Sequence, residues 1–359
     1  MKTSATISAA SAVGKIGPRS STLLLLAVAL VVIALVAATI GAAGIPLARI
    51  GAALGLIAGD PALAARDHLV LTSIRLPRIV LTAMVGALLA AAGAIMQGLF
   101  RNPLADPGLV GVSAGAGLAA ACAIVLGDKF LVGAMLGISV AVLPVAAFLG
   151  ALVITVLLYR LASNDGRTSI ATFLLAGLAL GALANAATAL LIFVADDRQL
   201  RDITFWMLGS LAGATWAKAF AVAPFLVLLV ASLPLVARDL DLLALGEAEA
   251  FHSGVSVERL KRLAILLVAA CAGAAVSVSG VIGFLGIIVP HLLRLVIGPS
   301  HRVLLPAAMC LGAAVLLMAD TFARTIAAPA ELPIGIVTAL IGAPAFLFLL
   351  LRQRAVVGL

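Results

Sequence analysis

The chain alternates long apolar runs with short polar connections. About ten runs approach the roughly 20 residues that a helix needs to cross a bilayer. They are residues 21–43, 68–98, 107–126, 130–160, 168–195, 213–237, 262–281, 283–297, 303–326 and 333–351. The runs are continuously apolar, whereas a transmembrane strand alternates apolar and polar positions over about ten residues. The pattern therefore predicts an all-α, polytopic membrane protein with about ten transmembrane helices.

The connections between these runs are short, so we expect one transmembrane domain over residues 1–359. The apolar stretch 262–297 is too long for one span and is interrupted at Gly280 and Gly283, which predicts two helices joined by a tight turn. Residues 1–20 followed by the run 21–43 resemble a signal peptide. The run exceeds the roughly 7–15 residues of a signal h-region, so a retained first span is predicted.

The composition agrees with this class, because 64% of the residues are hydrophobic and 11% are charged. The net charge of +8 reflects topology in such a chain, and we expect no nucleic-acid partner. With the N-terminus inside, 14 of the 23 Lys and Arg residues lie on the cytoplasmic side. This bias predicts that both termini are cytoplasmic.

A charged island, defined as residues 238–262, carries nine charged side chains in this apolar chain. Gly254 is expected to end one short helix, and Ser256 to cap a second that begins with Glu258. The topology puts the island in the cytoplasm. Two amphipathic helices that dock a soluble partner are one interpretation, and a solvated loop is the other.

Three arginines lie on the opposite side of the membrane from the island. Arg75 and Arg78 stand at the outer end of the second span, and Arg324 at the outer end of the ninth. The positive-inside bias disfavours arginines there. They either bind a carboxylate-bearing partner, which guanidinium groups match bidentately, or reach lipid phosphates by snorkelling.

Two further polar segments carry candidate residues. The segment 196–202, with Arg198 and Arg201, is either a solvated loop with an aromatic anchor behind it or the lining of a vestibule for an anionic solute. The turn 102–108 holds two prolines, which suit a helix end and a helix start. Gln97 and Asn102, beside and within this turn, require hydrogen-bond partners at their depth.

Three motifs that carry chemistry are absent from the sequence. None of the five lysines follows a GxxxxG pattern, so the chain has no P-loop, and HExxH and CxxC are also missing. The three cysteines, Cys122, Cys271 and Cys310, fall in apolar spans without the spacing of a metal site. We expect no catalysis, no metal and no cofactor in this chain, and an energy source in another subunit.

Ordered motifs along nearly the whole chain resemble the FecCD-type permease subunits of bacterial ATP-binding cassette importers, which take up iron–siderophores, haem and cobalamin. The motifs are Arg75-Leu-Pro-Arg78, GAIMQGLFRNPLADPGLVGVSAG (93–115), WMLGS (206–210), LGEAEAFHSG (245–254), GVIGFLGIIVPHLLR (280–294), DTFAR (320–324) and ELPIGIVTALIGAP (331–344).

The resemblance implies a homodimeric type II importer permease in the bacterial inner membrane, with its pathway at the dimer interface and spans five and six lining it. Two separate ATP-binding subunits would supply ATP and magnesium, and a periplasmic substrate-binding protein would deliver the cargo. Arg75, Arg78 and Arg324 would receive glutamates of the binding protein. The positions implied for ATPase coupling are Gly246, Glu247, Glu249, Phe251, His252 and Gly254, and those implied for the cytoplasmic gate are Asn102, Leu104, Thr168 and Ser169.

The segments 195–206 and 209–216 resemble the haem-permease branch of the family most. Haem carries two propionates, so a contact with Arg198 or Arg201 is chemically sensible. Cobalamin and ferric siderophores remain alternative cargoes.

Two other classes of function are disfavoured by the sequence. A secondary transporter driven by an ion gradient usually places an ionisable residue near the bilayer midplane, whereas Asp320 and Glu331 lie near span ends. A non-transporting receptor or scaffold fits the docking island but not the polar residues Gln97 and Asn102.

Overall fold

A computed structural model of the chain describes residues 18–41, 44–58, 60–130, 139–164 and 167–357. These residues form fourteen α-helices and one short hairpin. The helices are α1 (Pro18–Thr39), α2 (Leu47–Ala53), α3 (Pro61–Val70), α4 (Leu76–Leu99), α5 (Val112–Phe130), α6 (Ser139–Ala162), α7 (Ile170–Phe193), α8 (Asp197–Met207), α9 (Trp216–Leu243), α10 (Glu247–His252), α11 (Val257–Ser279), α12 (Leu285–Ile297), α13 (His301–Ile326) and α14 (Ile334–Val357). The antiparallel hairpin pairs β1 (Ser163–Asn164) with β2 (Arg167–Thr168).

The predicted all-α membrane architecture is confirmed. Seven helical stretches of the described chain are long and apolar enough to cross a membrane. Three shorter apolar helices, Val112–Gly127, Leu285–Ile297 and Ile334–Phe348, complete the set. Each of the ten apolar runs in the sequence therefore corresponds to a helix, and the predicted tight turn between the seventh and eighth lies between α11 and α12.

The second span is not the single regular helix that the run 68–98 suggests. Helix α3 continues through a π-helical segment, Leu71–Arg75, into α4. Pro77 occupies the first turn of α4 and has no N–H to donate, so the hydrogen-bond ladder is interrupted where the π segment lies.

The segment 196–202 is helical and not a loop, although most of its side chains are exposed. Asp196 accepts a hydrogen bond from the backbone N–H of Gln199 at 2.8 Å, and the Gln199 side chain accepts one from the Asp196 N–H at 3.2 Å. This reciprocal capping box begins α8.

The charged island is only partly a separate structure. Helix α9 continues to Leu243, so the first island residues belong to a long helix, and α10 is the one short helix of the island. Gly254, with a φ of +86°, follows α10 as predicted. The second short helix expected from Glu258 is instead the first turn of α11.

Helix α4 is the centre of the bundle and is buried along nearly its whole length, in contact with α9, α11, α12 and α13. Two glycine pairs let backbones touch. A Cβ placed on Gly86 would lie 2.4 Å from the carbonyl oxygen of Gly312 in α13, and one placed on Gly93 would lie 2.0 Å from that of Gly286 in α12. Such close approach suits helices in lipid, where burial of apolar surface does not drive association.

Helices α4 and α13 run in opposite directions and define the two ends of the molecule. Arg78 at the start of α4 contacts Asp320 near the end of α13. Gly98 at the end of α4 lies against His301 at the start of α13. We call the end that holds Arg78 and Asp320 the arginine end. The end that holds Gly98 and His301 is the island end, because α10 also lies there.

Replacing Gly86 by alanine is expected to lower the free energy of unfolding by about 1–3 kcal/mol, since the new methyl group must push α13 away. Gly181 in α7 faces open space, so Gly181→Ala should be neutral or stabilising through its better helix propensity. Thermal unfolding in detergent measures both. Equal melting temperatures for the two variants would contradict the close packing of α4 on α13.

Candidate functional site

The arginine end brings together the three arginines singled out in the sequence. Arg75 donates a hydrogen bond to the carbonyl oxygen of Ala38, and Arg324 donates one to that of Ala37 at 2.6 Å. Both carbonyls belong to the last turn of α1, whose C-terminal end carries partial negative charge. Two guanidinium groups, one from the π-helical segment and one from α13, therefore hold the end of α1.

Arg78 binds two carboxylates of its own chain. Its Nε and Nη2 donate to Asp320 at 2.8–3.2 Å, and its Nη1 donates to Glu331 at 2.9 Å. Arg78 and Asp320 are buried, whereas the Glu331 side chain is 40% exposed. The three arginines and two carboxylates leave an excess of positive charge at this end.

The structure confirms that the three arginines are neighbours but does not test their role in docking, which stays a prediction. The structure does exclude the alternative role, snorkelling to lipid phosphates, for two of the three arginines. Arg75 and Arg78 are 4% and 9% exposed and bond within the chain, so snorkelling to lipid phosphates does not describe them. Arg324 is only partly buried.

Asp320→Asn is expected to cost about 3–5 kcal/mol of stability, because it leaves the buried Arg78 without its bidentate partner. Glu331→Gln is the matched carboxylate-to-amide control and should cost about 1 kcal/mol or less, since its side chain is partly hydrated. Melting temperatures in detergent distinguish the two. Equal losses would show that Asp320 is not the dominant partner of Arg78.

Arg198 and Arg201 both lie on α8 and are exposed. The Arg198 side chain is 81% exposed and approaches Asp202 at 3.9 Å, one turn further along the helix. These positions leave the guanidinium groups free to meet a solute. A contact with cargo stays a prediction.

At the island end, α10 presents a defined outer face. Ala250 is fully buried and fixes the helix to the bundle, while Glu249, Phe251 and His252 are exposed. Phe251 is 69% exposed, with its ring centroid 6.0 Å from that of His252. An exposed aromatic ring with polar side chains around it is the composition of a protein-docking surface.

The backbone before α10 is fixed by Gly246, whose φ of +131° favours glycine. The Glu249 carboxylate lies so close that a Cβ on Gly246 would be 2.3 Å from its Oε2. The predicted coupling residues Gly246 to Gly254 thus form one compact unit around α10.

The turn after α4 holds the predicted gate residues Asn102 and Leu104. The Asn102 side chain accepts a hydrogen bond from the Leu104 N–H at 3.0 Å, which closes the turn. Asp106 accepts one from the Gly108 N–H at 2.7 Å. Burial raises the pKa of the Asp106 carboxyl, while the hydrogen bond from Gly108 acts in the opposite direction.

Gln97, flagged in the sequence as needing partners, has them. Its amide donates to the carbonyl oxygens of Gly286 and Ile287 at 3.1 and 3.2 Å, and its oxygen accepts from Arg294. Helix α12 therefore satisfies this buried amide.

Of the other predicted gate residues, Thr168 ends β2 of the hairpin and Ser169 joins it to α7. The Ser169 hydroxyl accepts a hydrogen bond from the Thr172 N–H at 3.3 Å and so caps α7. The two gate segments are connected through Phe100 and Phe173, whose ring centroids are 5.5 Å apart.

Lys261 is a central residue that the sequence reasoning missed as a site. It is 4% exposed and donates to Glu247 of α10, to Glu258 of α11 and to the carbonyl oxygen of Thr168. Glu258 in turn accepts a hydrogen bond from the Thr168 N–H at 3.1 Å. The one available signal was the spacing of Glu258 and Lys261, which puts both on one face of a helix.

His301 is a second missed residue. The Asp241 carboxylate accepts hydrogen bonds from the His301 N–H at 2.6 Å and from the Ser300 hydroxyl at 3.0 Å. A residue of α9 thereby caps α13, a helix whose own N-cap residue makes no side-chain cap.

A polytopic helical bundle with a short, partly exposed helix at one end and a cluster of charges at the other has the features of a transport permease. The chain belongs to the FecCD transport family, which matches residues 23–352.

Named relatives and a solved structure agree with this family. The chain is 50% identical over 283 residues to the hemin transport system permease protein HmuU of Yersinia pestis, covering 79% of this chain and 83% of the relative. It is 47% identical over 289 residues to the cobalamin import system permease protein BtuC of Halobacterium salinarum, covering 80% and 75%. An inward-facing structure described as a metal-chelate type ABC transporter superposes with a TM-score of 0.78 at 32% identity, covering 92% of this chain and 99% of that one.

Proposed function

We propose that the chain is the permease subunit of an ATP-driven importer that moves haem from the periplasm to the cytoplasm. The observation that carries this proposal is the 50% identity to a hemin permease over most of both chains. Cobalamin is the second candidate cargo, supported by 47% identity to a cobalamin permease. A ferric siderophore is the third, on the family resemblance alone.

The energy for transport comes from two separate ATP-binding subunits that hold ATP and magnesium. The exposed Phe251 and His252 of α10, rimmed by Glu249, are the surface on which each would dock. This assignment puts the island end and both chain termini in the cytoplasm, in agreement with the distribution of Lys and Arg. The membrane is the bacterial inner membrane.

The arginine end then faces the periplasm and receives the substrate-binding protein. Its excess positive charge attracts acidic side chains and raises the association rate. A carboxylate of the binding protein would meet the partly buried Arg324 first, because Arg78 is already engaged by Asp320 and Glu331.

The cargo pathway lies between two copies of the chain. Helix α7 supports this, because Leu175, Leu178 and Leu183 are each at least 67% exposed on a helix that packs little of its surface within one chain. Arg198 and Arg201 on α8 would meet the haem propionates at the periplasmic mouth. The turn Asn102–Leu104 and the pair Thr168–Ser169 would close the cytoplasmic side.

Vesicles that contain the permease and its ATP-binding subunits, with the binding protein and ATP supplied, should accumulate haem in preference to cobalamin. Uptake is followed as retained haem or cobalamin after rapid filtration. Omission of the binding protein or of the ATP-binding subunits should abolish it. Preferential cobalamin uptake would identify cobalamin and not haem as the cargo. Uptake without the ATP-binding subunits would contradict the ATP-driven mechanism itself.

Phe251→Ala should weaken binding of the ATP-binding subunit about 30-fold, the loss expected of a hot-spot aromatic worth about 2 kcal/mol. Phe220→Ala is the matched control, since Phe220 has the same 69% exposure but lies in the apolar part of α9. Equilibrium binding to the permease in nanodiscs measures both affinities. Equal affinities for the two variants would show that α10 is not part of the docking surface.

A further inference from the structure

Lys261 lies where three elements of the island end meet. The Nζ atom is 3.0 Å from a carboxylate oxygen of Glu247 on α10 and 3.0 Å from one of Glu258 on α11. It is 3.2 Å from the carbonyl oxygen of Thr168 on β2. An ammonium group has three donors, and each of these finds an acceptor on a different element.

The burial of Lys261 makes this arrangement restrictive. A buried charge is stable only while it is paired and hydrogen-bonded. A displacement of α10 or of the hairpin relative to α11 would break one of the three bonds at a side chain that is 4% exposed. Movement of one element is therefore favoured only if the others follow.

Both backbone polar groups of Thr168 hold the hairpin to α11. The Thr168 N–H donates to Glu258, and the Thr168 carbonyl oxygen accepts from Lys261. The next residue, Ser169, caps α7. A displacement of Thr168 is consequently passed to the first turn of a membrane-spanning helix.

We propose that Lys261 is the positioning residue that transmits movement of α10 to the Thr168–Ser169 segment and so to α7. This inference rests on the proposed function, in which α10 is the element moved by the ATP-binding subunits. Lys261 does not touch ATP or cargo, and it acts through Glu247 on one side and Thr168 on the other.

The test is Lys261→Met in the complete transporter, in which methionine keeps much of the side-chain volume and removes the charge. The freed carboxylates of Glu247 and Glu258 are 43% and 30% exposed, so water hydrates them and the variant folds. Arg160→Met is the matched control, because Arg160 is an exposed cation in the last turn of α6, also at the island end.

The direct readout is the distance between nitroxide labels at Ala171→Cys in the two copies, with the three native cysteines replaced by alanine. Ala171 is exposed in the first turn of α7. Labels in otherwise unsubstituted protein and in the Arg160 control should move when ATP is trapped with vanadate. In the Lys261 variant the ATP-binding subunits should stay bound and hydrolyse ATP, but the movement should be lost and haem uptake should fall at least about fivefold.

A full ATP-dependent movement in the Lys261 variant would overturn the role of Lys261 and leave the proposed function intact. Loss of the bound ATP-binding subunits would also overturn it, because the residue would then serve assembly. Absence of any ATP-dependent movement in the unsubstituted protein would overturn the proposed function and this inference together.

Discussion

The backbone contact between α4 and its neighbours is the constraint on which the other features depend. In lipid, tight packing must replace the hydrophobic effect as the force between helices. The Gly86–Gly312 and Gly93–Gly286 contacts supply it and fix α4 against α13 and α12. Arg78 and Gln97 lie on this helix about 28 Å apart, at 1.5 Å per residue. One stiff element therefore sets the relative position of both ends of the molecule.

Three buried polar side chains of the described chain follow a second rule, which the bilayer imposes. Buried charges and amides need partners inside the protein. Arg78 has two carboxylates, Lys261 has two carboxylates and a carbonyl, and Gln97 has two carbonyls and an arginine. Each of these sets joins different elements, so the groups that carry charge also fix how the helices meet at the two ends.

The local parts of this architecture could be predicted from the sequence, and the long-range parts could not. Hydrophobic runs locate all ten apolar helices, and Gly254 and Gly280 mark real breaks, because those signals are local. Helix α8 was missed although its capping box lies in four consecutive residues, since its polarity suggested a loop. Asp320 lies 242 residues from Arg78, and Thr168, the most distant partner of Lys261, lies 93 residues from it. No periodicity specifies such pairs.

The contacts of α1 have a consequence for biogenesis. The last carbonyls of this helix, those of Ala37 and Ala38, are bonded by guanidinium groups of Arg324 and Arg75. Arg324 follows Ala37 by 287 residues, so the ribosome reaches it only after seven further apolar helices and most of α13 have been synthesised. Helix α1 is therefore synthesised long before the arginine that bonds Ala37. Its docking onto α13 can be completed only after most of the described chain has followed it.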